Sequence, residues 1–102
     1  MNILITGATT ARAYQVKRGV EKDNVILGDY LELPPVMVKT GSMVQLPDPA
    51  KSTYAHEMLT LCLDKGIEKI IVINEAEREA LWPARQLFGE YNIVIEQVDD
   101  KV

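Results

Sequence analysis

The chain has 102 residues, enough for one hydrophobic core, and 47% hydrophobic against 25% charged residues is the balance of an ordinary globular domain. Its formal net charge of −4 argues against a nucleic-acid partner, because binding a phosphate backbone rests on clustered Lys and Arg, and the eleven basic residues here are scattered. A single cysteine, Cys62, excludes an internal disulfide and a cysteine-based metal site.

No run approaches the ~20 apolar residues that span a bilayer. The N-terminus also lacks the basic region and the long apolar run of a signal peptide. The expected partners therefore include neither membrane nor nucleic acid, and the expected location is cytoplasmic.

Ile3-Leu4-Ile5 is a continuous apolar run that breaks at Thr6-Gly7. A parallel strand is covered on both faces, so it reads as unbroken hydrophobics rather than as an alternation. Gly7 permits a tight turn, and the amides that open the following helix form an anion site in such units. A helix is predicted over Ala11 to Val20, with Ala13, Val16, the Lys17 stem and Val20 toward the sheet. Lys22-Asp23-Asn24 makes the exit, and Val25-Ile26-Leu27 is the second buried strand, ending at Gly28-Asp29. Strand, helix and strand in that order form a right-handed crossover with the two strands parallel.

Pro34-Pro35 cannot lie inside a helix, which predicts an irregular second crossover with a short extended piece at Met37-Val38-Lys39. Met43 to Leu46 is the third strand, stopped by Pro47-Asp48-Pro49. Ser52 to Lys65 is the clearest helix, carrying the apolar stripe Ala55, Met58, Leu59 and Cys62 and capped by Ser52 or Thr53. Gly66 ends it in the left-handed position that glycine favours. Lys69 to Ile73 is the fourth strand. A last helix covers Glu75 to Tyr91, broken at Leu81-Trp82 by Pro83, with Ala80, Leu81, Ala84, Leu87 and Phe88 inward. Ile93-Val94-Ile95 is the fifth strand, and Asp99 to Val102 a frayed tail.

These elements predict a single small α/β domain over 1–98, Rossmann-like and three-layered, with a mostly parallel five-stranded sheet and helices on both faces. Ligands of such sheets bind beyond the carboxyl ends of the strands, at the switch point beside the first strand. The candidate ligand-binding residues are accordingly Gly7, Ala8, Thr9, Thr10, Asp29, Pro47, Asn74 and Glu75. No catalytic set is visible. Thr6-Gly7-Ala8-Thr9 opens like the turn of short-chain dehydrogenases, and Asp29 stands where a ribose hydroxyl is held in dinucleotide sites. Thr10, Ala11 and Ala13, however, occupy positions where further glycines let the pyrophosphate approach. Glu75, Glu77 and Glu79 read as a solvated face favoured by the helix dipole, and the lone His56 as surface filler rather than a ligand. Trp82 is either a packing residue or an aromatic anchor for a partner. A buried, inert thiol is the expectation for Cys62.

The order of these pieces resembles the N-terminal pre-ATP-grasp domain of carbamoyl-phosphate-synthase-like ATP-grasp proteins. The matching stretches are Asn2 to Ala8, Val25 to Asp29, Leu46-Pro47-Asp48-Pro49, Ser52-Thr53-Tyr54, Gly66 to Ile70 and Leu87 to Ile93. The missing helix between the second and third strands also fits that family, whose first loop is commonly richer in glycine than Thr9-Thr10 here. The domain that binds ATP and magnesium and activates carboxylates in those enzymes has no counterpart in these 102 residues. The resemblance thus implies a non-catalytic domain with no cofactor of its own, and an ATP-grasp polypeptide in trans as partner. Open sheet edges add a homodimer as a further expectation.

Overall fold

The structure is a computed structural model and describes residues 1–20 and 23–98. Strands β1 (Asn2–Ile5), β2 (Asn24–Asp29), β3 (Met43–Gln45), β4 (Lys69–Val72) and β5 (Val94–Gln97) form one sheet in the order β3-β2-β1-β4-β5. Every pairing is parallel, so the sheet is fully rather than mostly parallel. β1 lies at its centre, with Leu4 beside Ile26 of β2 on one flank and Ile70 of β4 on the other.

The continuous apolar strands follow from this geometry, because successive side chains enter different cores. Leu4, Ile70 and Val72 face one core, together with Met58, Cys62, Leu81 and Phe88. Ile3, Ile5, Ile71 and Ile73 face the other, together with Ala13 and Leu27. The first core is roofed by α3 (Tyr54–Lys65), α4 (Glu75–Leu81) and α5 (Arg85–Glu90). The second is roofed by α1 (Ala11–Gly19) and touched by Met37 of α2 (Pro35–Lys39). Val16 and Val20 pack against it as the α1 pattern requires, whereas Lys17 is exposed. Strand order reverses between β1 and β4, and that reversal places a switch point at their carboxyl ends.

Several boundaries differ from the sequence reading for physical reasons. The second crossover contains a five-residue helix where an extended piece was expected at Met37-Val38-Lys39. Pro35 occupies its first turn, where the missing N–H would lack a partner in any case, and Pro34 precedes it in an extended conformation. α3 begins at Tyr54 rather than Ser52, and Thr53 is its N-cap residue as expected but makes no side-chain capping bond: its hydroxyl donates to Glu57 at 2.7 Å instead. Tyr54 thereby joins the buried side of α3, while Ala55 is only half-buried. Gly66 does end the helix in the left-handed region, at φ 64°. Pro83 breaks the last helix as expected, through a 3-10 turn at Trp82–Ala84 between α4 and α5. The fifth strand runs one to two residues later than Ile93-Val94-Ile95. Lys22 of the first helix exit and the Asp99 to Val102 tail lie outside the described residues. No helix among the described residues is long and apolar enough to cross a membrane.

Candidate functional site

The carboxyl edge of the sheet is built first by the exit from β1. The Thr6 amide continues the ladder to the Ile71 carbonyl at 3.0 Å, and the Thr6 hydroxyl accepts from the Ile73 amide at 3.2 Å. Gly7 turns the chain at φ +74°, a conformation that side chains disfavour, and a Cβ there would meet the Ile73 Cβ at 3.4 Å. The two loops flanking the switch point are thus clipped together, with buried Ile73 beneath them.

The amides that follow point inward. Ala8 donates to the Gly28 carbonyl at 3.0 Å, and Thr10 to the Gly7 carbonyl at 2.9 Å. Thr10 is the N-cap of α1: its hydroxyl donates to the Gly7 carbonyl at 2.7 Å and accepts from the Ala13 amide at 3.4 Å. Thr9 is tied to Asp29 at the end of β2. One Asp29 carboxylate oxygen accepts from both the Thr9 amide (3.0 Å) and the Thr9 hydroxyl (2.8 Å), and the other accepts from the Leu31 amide at 3.1 Å. Asp29 is 1% exposed. The structure therefore brings Gly7, Ala8, Thr9, Thr10 and Asp29 together, and does so by joining them to each other. The Ala8, Thr9 and Thr10 amides thus all have partners within the protein, on Gly28 and Asp29 of β2 and on Gly7.

The remaining candidates lie across the same edge. Pro47 is half-buried after β3, Asn74 is half-buried after β4, and Glu75 is exposed. Asn74 caps α4 by accepting from the Glu77 amide at 2.9 Å. Glu77, expected on a solvated face, is instead completely buried. The Tyr54 hydroxyl donates to one of its oxygens at 2.6 Å and the Asn74 side-chain amide to the other at 2.7 Å. Burial pushes the Glu77 carboxyl up to about 7; the bonds from Tyr54 and Asn74 oppose the shift, and the charge of Asp29 adds to it. Tyr54 is likewise pushed upward, first by burial and then by Glu77. Composition gave no sign of this pair, since an acidic residue in a first helical turn is common. The available signal was the spacing Asn74-x-x-Glu77, that of a helix N-cap and the residue whose side chain reaches back to it.

A shallow cleft of about 470 Å³ is lined by Tyr30, Pro49 and Ala50 from the loops after β2 and β3 and by Ala76 and Ala80 of α4. Its charged lining is acidic, from Asp48 and Glu79. A smaller hollow of about 360 Å³ adjoins Trp82, which is 39% exposed and carries the Arg85 guanidinium 4.7 Å above its ring. His56 is exposed on the outer side of α3, in a surface depression whose lining comes from that helix alone. Such residues diverge from the helix axis and converge on nothing. Cys62 is fully buried and its thiol is pushed up to about 12, which keeps it protonated and unreactive. Among the described residues no three His, Cys, Asp or Glu side chains are grouped to hold a metal.

The carboxyl edge thus holds two buried carboxylates, three threonines and a tyrosine whose polar atoms are paired with each other or with nearby backbone, and no buried side-chain polar atom among the described residues lacks a partner. Neither the protein-family models nor the curated proteins contain a match to the chain.

Proposed function

We propose that the chain is a non-catalytic Rossmann-like domain that works by contact with another protein, docking on a separately encoded ATP-grasp ligase and lending loops to its substrate site. The observation that carries the first part is the inward engagement of the ligand edge: the Ala8, Thr9 and Thr10 amides, both Asp29 oxygens and both Glu77 oxygens already have protein partners. Groups that recognise a small ligand need donors and acceptors free to reach it, and leaving them paired internally rigidifies the scaffold instead. The choice of partner rests on the sequence resemblance alone, through Asn2 to Ala8, Val25 to Asp29 and Leu87 to Ile93. The test is affinity capture of the tagged chain from its own cells, with mass spectrometry of what co-purifies. An ATP-grasp polypeptide lacking its own N-terminal domain is the expected companion. An unaltered set of ATP-dependent ligase activities after deletion, with no such companion, overturns the reading.

The cleft beside Tyr30 favours a second reading, a small-ligand module. Its alanine and proline walls suit an apolar body, and Asp48 and Glu79 suit a cationic group rather than a nucleotide phosphate.

A further inference from the structure

Between Ile73 and Leu81 the chain exposes or half-exposes every side chain except one, Glu77. The opening turns of α4 are therefore held to the body of the protein by a carboxylate and not by an apolar anchor. Leu81 anchors only the far end of the helix, where it is fully buried. The groups facing Glu77 are the Tyr54 hydroxyl from α3, the Asn74 amide from the cap, and the Asp29 carboxylate from the end of β2; Cys62 faces Tyr54 from about two turns further along α3. No ion pair reaches Glu77 among the described residues. A buried carboxylate that has only neutral donors and a neighbouring acid is tolerated in its protonated form and disfavoured once ionised.

We propose that Glu77 is a proton-dependent latch: protonated, it leaves the first turns of α4 docked beside Tyr54, and ionised, its buried and uncompensated charge drives them outward and widens the cleft between α4 and the Tyr30 side. Ala76, Glu79 and Ala80 form the moving wall of that cleft, so loosening residues 75–79 changes its width directly. Asn74 at one end and the Leu81 anchor at the other bound the moving segment.

The sign follows from the direction of the shift. The carboxyl moves from 4.5 to about 7 when α4 is docked. Docking is therefore favoured fully below 4.5, and its advantage is lost as the pH rises through 7. Between pH 6 and pH 8 the open-to-docked ratio of α4 rises about tenfold for such a pair of values.

The experiment is amide hydrogen exchange of the full chain at pH 6 and pH 8, corrected for intrinsic rates, together with ¹³C titration of the Glu77 side chain. Protection of the Arg78 to Leu81 amides is expected to fall about tenfold relative to that of β1 amides, and the carboxyl to titrate near 7. Glu77→Gln is expected to abolish the pH dependence while leaving α4 protected. Tyr54→Phe removes a bond that favours the ionised form and is expected to move the midpoint higher. A carboxyl titrating near 4.5 overturns the proposal, as does an equal loss of α4 protection in Glu77→Gln. Should Glu77→Gln fail to fold, the wild-type titration and its displacement in Tyr54→Phe decide the matter.

Discussion

Asp29→Ala is expected to lower the stability of the chain by about 2–4 kcal/mol in urea unfolding. The carboxylate takes three donors, the Thr9 amide, the Thr9 hydroxyl and the Leu31 amide, in a position 1% exposed. Truncation leaves the Thr9 and Leu31 amides each without its acceptor in a part-buried position, where an unpaired donor costs up to about 1–3 kcal/mol. Asp29→Asn is expected to lose nearly as much, since one acceptor oxygen becomes a donor pointing at donors. The β1–α1 loop should loosen in both variants, read as faster exchange of the Thr9 amide. A loss under 1 kcal/mol would mean that the carboxylate is dispensable to the loop and available for another role.

Phe88→Ala is the other large expected effect, about 3–5 kcal/mol. Phe88 is fully buried and is the one buried side chain of α5, a helix of six residues following the Pro83 turn. So short a helix has little stability of its own, because nucleation is costly and few bonds repay it. Phe88 also places its own carbonyl as acceptor for the Ile93 amide at 3.0 Å, which directs the chain into β5. Removing the ring should therefore expose β5 to exchange before the central strands. Leu87→Ala, at a half-buried neighbour, serves as the comparison and is expected to lose clearly less.

The sheet was legible because parallel strands buried on both faces write themselves as short apolar runs. Ile3-Leu4-Ile5 and Lys69 to Ile73 each divide their side chains between the two cores. Gly66 and Pro83 were legible for the same kind of reason: each has one backbone preference, and the fold uses it. The helix at Pro35–Lys39 was not, since a Pro-Pro pair reads equally as a break and as a start, and only the contact of Met37 with the core separates them. The convergence of the candidate residues was legible, but the direction in which their polar atoms point was not. Gly7 to Thr10 and Asp29 do converge at the end of β1 and β2. Whether their polar atoms turn outward or toward each other depends on distances that no spacing rule contains. Glu77 illustrates the point most clearly, because its burial is decided by Tyr54, 23 residues away.

The proposed function requires that the amides and carboxylates of the ligand edge serve the fold and leave recognition to another surface. It is tested most directly by ¹⁵N amide spectra of the chain titrated with millimolar ATP, NAD and inorganic phosphate. Unmoved resonances for Gly7, Ala8, Thr9, Thr10 and Asp29 are predicted, because their partners lie within the protein. Saturable shifts at those positions would contradict the account and make the end of β1 a nucleotide or phosphate site.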